Sequence, residues 1–154
     1  MNRYKDLADE NNIVRHCSRQ KLIFKDGQAV AVSPFSFRLR PHIGETYLSC
    51  DWLEYFEGEK NDQLKEVASS LKNRFSKIGE QDHLAVINVG KTRECGTQRT
   101  IKLKVMHTPK TEKKSYSGVY GMPRENSDSI LLELLATEAV VDLFKMDEYL
   151  TNPI

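Results

Sequence analysis

Leu22-Ile23-Phe24-Lys25-Asp26-Gly27-Gln28-Ala29-Val30-Ala31-Val32 is the stretch that decides the fold class. Two β-prone runs flank Asp26-Gly27, and both central residues of a type I′ turn need the positive φ that Asp-Gly tolerates. A hairpin here commits the chain to antiparallel pairing. Ser33-Pro34 then interrupts. Beyond it Phe35, Phe37 and Leu39 alternate with Ser36, Arg38 and Arg40, which predicts a strand with Arg38 and Arg40 on its polar face. Pro41 ends that strand or confines it to a sheet edge.

Further along, Leu64, Val67, Ala68, Leu71, Phe75 and Ile78 recur at helical spacing. They predict an amphipathic helix over 62–78, with Asn61 to cap it and Gly79 to stop it. Asp51 and Glu54 fit an acidic capping box, predicting a short helix from Trp52 to Glu57 closed by Gly58. Leu84 to Val89 reads as a buried strand. Thr100 to His107 reads as another, with Ile101, Leu103 and Val105 opposite Lys102 and Lys104. Gly90 to Gln98 reads as a basic loop or irregular connection, and no periodicity survives between Thr108 and Asn126. Asn126-Ser127 offers a cap for a final helix over 128–144, apolar around more than half its circumference. Such a helix buries more than one face, in the core or against a second chain.

The fold expected is α+β: a single domain over 13–146, built on a mostly antiparallel, curved sheet with two main helices packed on it. A polar lead-in (1–12) and a tail (147–154) flank it.

The chain has 154 residues, 39% hydrophobic and 29% charged, the balance of an ordinary soluble domain rather than a disordered segment. No apolar run approaches the ~20 residues of a membrane span, and Met1 to Asn12 has no apolar core of a secretory signal. A cytoplasmic protein without membrane contact is expected. Cys17, Cys50 and Cys95 are odd in number and form no CxxC pair, which fits reduced thiols. The net charge of +1 conceals two opposed regions. Lys91 to Lys114 carries eight basic residues against two acidic ones, and Glu125 to Ile154 carries seven acidic residues against one basic. They can attract each other or face partners of opposite sign.

No catalytic or ligand signature stands out. Arg15-His16-Cys17 invites a cysteine nucleophile, but strand neighbours point to opposite faces, so His16 does not activate Cys17. His16, His42, His83 and His107 lack the spacing that preorganises a metal, and no metal is expected. Gly118-Val119-Tyr120-Gly121 lacks the length and the lysine of a phosphate loop, and no cofactor is expected.

Two functions follow. The leading one is a binding module that acts with a protein partner or, weakly, with nucleic acid. Arg40, Lys102, Lys104, Lys113 and Lys114 would meet phosphates, and Tyr116 and Tyr120 would stack on bases. The same alternation of lysines also serves to solvate a sheet's outer face. The alternative is a small enzyme acting on a nucleotide-type substrate. Arg15, His16, Arg38, Ser49 and Glu54 would converge where the first hairpin meets the 51–57 helix, Arg binding phosphate and Glu or His moving a proton. An oligomer through helix 128–144 is a further expectation.

Arg15-His16-Cys17, Phe35-Ser36-Phe37-Arg38 and Leu48-Ser49-Cys50-Asp51-Trp52-Leu53-Glu54 carry a likeness that reaches most of the chain, through Ala85-Val86-Ile87-Asn88-Val89-Gly90 and His107-Thr108-Pro109. In these segments the chain resembles a group of small bacterial proteins of unknown function. The resemblance implies a bacterial, cytosolic, single-domain protein and carries over no catalytic residue.

Overall fold

A computed structural model describes residues 4–75, 77–123 and 128–150. In chain order they form β1 (Lys5–Asp6), β2 (Asn12–Cys17), β3 (Leu22–Lys25), β4 (Gln28–Val32), β5 (Leu48–Trp52), α1 (Lys60–Arg74), β6 (His83–Asn88), α2 (Val89–Gln98), β7 (Lys104–His107), β8 (Tyr116–Tyr120), α3 (Ser129–Leu134) and β9 (Val140–Lys145). Seven strands make one antiparallel sheet in the order β1-β7-β8-β5-β2-β6-β9, and β3-β4 is a separate hairpin. The hairpin turn forms as its chemistry requires, with φ of 54° at Asp26 and 79° at Gly27.

Both faces of the sheet's middle are covered. On one face Val14, Leu84 and Val86 pack under Leu64, Val67, Ala68 and Leu71 of α1, the stripe that the helical spacing marks out. Each such fully buried leucine or valine contributes about 2 kcal/mol of apolar transfer. On the other face Ile13, Ala85, Ile87, Cys50 and Val105 meet α2, α3 and the hairpin. The fold is α+β and mostly antiparallel, with a seven-stranded sheet, a two-stranded hairpin and, among the described residues, three α-helices where two main helices are expected.

Several expectations are corrected. The helix over 128–144 reaches only Ala139, as α3 and a following π turn (Leu135–Ala139). Val140–Lys145 is instead β9, hydrogen-bonded to β6. Val140-Val141 is β-branched, and an adjacent strand with open hydrogen bonds outweighs the continuing apolar pattern. Asp128 caps α3 by accepting the Ile130 and Leu131 N–H groups, while the expected cap, Asn126-Ser127, lies outside the described residues. The segment's apolar surplus goes largely into this chain's own core: Leu131, Leu132, Leu135 and Ala139 are buried, whereas Ile130 and Val141 are exposed.

The strand expected at Phe35–Leu39 is a 3₁₀ turn, Pro34–Phe37. Pro34 takes the first position, and Ser33 accepts the Phe35 N–H. Gly90 to Gln98, expected as a loop, lies within α2, which Asn88 caps through the Lys91 N–H. Its glycines serve close packing: a Cβ on Gly96 would sit 2.5 Å from the Ile101 carbonyl. The 51–57 helix shrinks to one 3₁₀ turn at Leu53–Tyr55, because Asp51 remains in β5 and its carboxylate is engaged elsewhere. α1 runs from Lys60 to Arg74, starting after Glu59 and ending before Phe75. Residues 5–7 of the expected lead-in belong to the fold, since β1 pairs with β7 and Leu7 is buried. At the other end, Tyr149 and Leu150 of the expected tail pack against the α1 cluster.

Candidate functional site

β2 and β5 pair only at Ile13↔Trp52 and Val14↔Asp51. Beyond Val14 they part, and a cavity of about 260 Å³ opens between them. Arg15 spans the gap. Its two terminal nitrogens donate to the backbone carbonyls of Ser49 (2.6 Å) and Ser36 (3.0 Å), and its buried Nε has no partner among the described residues. Both acceptors are neutral, so the guanidinium charge meets no carboxylate there.

Around this floor stand Lys21, Arg40, Arg74 and Lys113, with His16, Ser49 and Tyr116 in the wall. Two carboxylates answer the cations. Asp51, 2% exposed, receives Arg74 at 2.6 Å and the Ser115 hydroxyl at 2.8 Å. Glu45 accepts from the Arg40 side chain at 3.2 Å and from its backbone N–H at 2.8 Å. Lys21 and Lys113 have no ion pair among the described residues. The Lys21 ammonium is held below its ordinary pKa by burial, then by the charges of Arg15 and Arg40. The cavity is positive, and its field is not neutralised from within.

His16 points to the α1 side of the sheet. Its Nε2–H donates to Asp82 at 2.6 Å, and its ring tilts against Phe75. Cys17, on the opposite face, is buried, and that burial pushes its thiol pKa up. The reading of Arg15-His16-Cys17 as strand neighbours that do not cooperate therefore holds.

Beside the cavity, on the face that α1 covers further along, β5, β8 and β7 carry Ser49, Gly118, Tyr120 and Lys104 in facing registers. The Tyr47 and Tyr120 rings stack 4.8 Å apart. A Cβ on Gly118 would come within 2.8 Å of Tyr47 and 2.9 Å of Tyr120, so this glycine lets both rings approach the strand closely. Tyr47 shares a hydroxyl hydrogen bond with Tyr116 at 2.9 Å, and Lys110 and Lys113 lie over the Tyr116 ring. Burial holds the Tyr116 and Tyr120 hydroxyls protonated, above their ordinary range. Asp6, opposite Met106, places a carboxylate on this face.

Of the residues expected in an enzyme site, Arg15, His16 and Ser49 line the cavity. Arg38 is exposed and outside it, and Glu54 turns to the far end of β2, where it accepts from the Asn12 backbone (2.7 Å) and side chain (2.8 Å). Of the expected binding residues, Arg40, Lys113 and Tyr116 line the cavity, and Tyr120 and Lys104 lie on the adjoining face. Lys102 and Lys114 are exposed outside the cavity, and Arg40 lies on no strand beside Lys104. Sequence reasoning missed Lys21, Glu45, Asp51 and Arg74, whose partnerships cross elements and leave no local spacing. Among the described residues no group of histidine, cysteine and carboxylate side chains is arranged to hold a metal ion, and no helix is long and apolar enough to cross a membrane.

No protein-family model, curated protein or solved structure matches the chain.

Proposed function

We propose that this protein is a non-catalytic binding module for single-stranded nucleic acid, engaged by the β5-β8-β7 face and the cavity at its border. The observation that carries the reading is the Tyr47–Tyr120 stack over Gly118, flanked by Lys104 and joined through Tyr116 to a positive cavity. Aromatic faces beside a cationic groove take bases and phosphates together, and unpaired strands expose the faces that such rings need. The net charge of only +1 suits weak, salt-sensitive binding rather than constitutive attachment. The enzyme reading loses Arg38 and Glu54 from its site, and its nearest thiols are buried and protonated. A bacterial cytosolic setting, which the sequence resemblance implies, is part of the same proposal.

Fluorescence anisotropy with a labelled single-stranded oligonucleotide at low salt tests the reading. Tyr120→Ala is expected to weaken binding by about 1–3 kcal/mol, the usual worth of one stacked base. Lys104→Gln is expected to weaken it less. Absence of binding at low salt, or two variants that bind like the parent, refutes the module.

A further inference from the structure

The shape and charge of the cavity restrict what enters it. Its floor is closed, with Arg15, Cys50 and Asp51 only 8%, 3% and 2% exposed. Its volume of about 260 Å³ lies at the small end of ligand pockets, a size that suits a head group. The cations approach from separate parts of the chain: Arg15 on β2, Lys21 before β3, Arg40 before β5, and Lys113 before β8. Five basic side chains (the fifth is Arg74) face two carboxylates, and the deeper of these is already claimed by Arg74 and Ser115. Arg15 keeps a buried Nε–H with no acceptor among the described residues, so the guanidinium on the floor is not fully satisfied by the protein.

We propose that this cavity receives a phosphomonoester, the terminal phosphate of a nucleic-acid strand. The terminal assignment rests on the reading of the adjoining tyrosine face as a strand-binding surface. An internal phosphodiester carries one negative charge and needs the chain to enter and leave. A monoester carries about −1.5 to −2 at pH 7 and three free oxygens, and it enters end-on. The dianion also matches the surplus of positive charge. The Tyr116–Tyr47–Tyr120 series leads directly away from the cavity wall, where the first nucleotides behind the phosphate would lie.

Oligonucleotides of one sequence bearing a 5′-phosphate, a 3′-phosphate or only hydroxyl ends, together with adenosine monophosphate, distinguish the possibilities by anisotropy and calorimetry. One phosphorylated end is expected to bind about tenfold tighter than the hydroxyl-ended strand, the scale of one to two charge-assisted hydrogen bonds. Arg15 also ties β2 to two carbonyls, so its loss threatens folding. Lys21→Gln and Lys113→Gln test the cavity instead, and each should erase most of the preference. Lys104→Gln should weaken all strands alike. Equal affinity for all three strands overturns end recognition and leaves the tyrosine-face reading standing. Binding of adenosine monophosphate without any strand supports the phosphate receptor and overturns the strand-binding face. A preference unmoved by either cavity variant overturns the location.

Discussion

Burial sets the chemistry of the three thiols. Cys17, Cys50 and Cys95 are all buried, and desolvation raises each above the ordinary value of 9.0, Cys95 to about 11. In the unfolded chain these thiols ionise near pH 9, whereas the native protein keeps their protons. The native state then binds more protons, so their contribution is complete below about pH 9 and is lost as pH rises toward the raised values. Tyr116, Tyr120 and Tyr149, also raised, extend the loss beyond pH 10. Lys21 acts oppositely: its lowered pKa makes stability rise with pH toward 10.5, but it is one group against six. Thermal unfolding measured from pH 8 to 11 is therefore expected to show a falling midpoint above pH 9. The fall should be shallower in Cys50→Ala and steeper in Lys21→Gln. A profile that stays flat to pH 11 would contradict this account of the thiols. At this scale the sequence was legible where a rule is purely local. Alternation along β2 separates His16 from Arg15 and Cys17, as strand geometry requires.

Elements whose signal is local and strong were legible too. The Asp26-Gly27 hairpin and the α1 stripe follow from turn chemistry and 3.6-residue spacing. Elements set by tertiary contact were not. β8 is buried at Tyr116 through Val119, yet it carries Ser117, which bonds the Ser115 carbonyl, and Gly118, which lies under two rings. Neither residue reads as core strand. α2 contains two glycines that a propensity argument counts against a helix, although one allows close approach to Ile101. The 129–145 segment is the clearest case, since its apolar run serves first a helix and then a strand. Leu135 opens the π turn between them and is 1% exposed. Leu135→Asp would bury an unpaired carboxylate, at a cost of several kcal/mol against a typical stability of about 5–15. Circular dichroism is expected to show an unfolded or strongly destabilised protein. A folded variant of altered sedimentation would instead put Leu135 at an interface between chains.

Over the whole molecule, the basic middle and the acidic C-terminal segment are linked by a single ion pair among the described residues, Arg99 to Asp128 at 2.9 Å. Asp142 answers Lys60 from α1, and Arg93 answers Asp9. None of Lys102, Lys104, Lys110, Lys113 and Lys114 is in an ion pair among the described residues, so the acidic segment does not quench the positive surface. In the proposed module, those lysines that lie by the tyrosine face and the cavity would displace counterions from a strand. Three to four phosphate contacts on a single strand, at about 0.7 each, predict a slope of about −2 to −3 for log affinity against log salt. Between 50 and 200 mM salt the affinity should fall roughly 20- to 60-fold. Removing two contacts with the Lys104→Gln, Lys113→Gln double variant is expected to reduce the slope by about 1.4. Lys25→Gln at the hairpin tip, a loss of one positive charge away from this surface, should lower affinity slightly and leave the slope alone. A slope near zero would mean that stacking alone holds the strand. A slope reduced by about 0.7 in Lys25→Gln, half the effect of the double variant, would mean that binding follows net charge and that no part of the surface is specialised for phosphate.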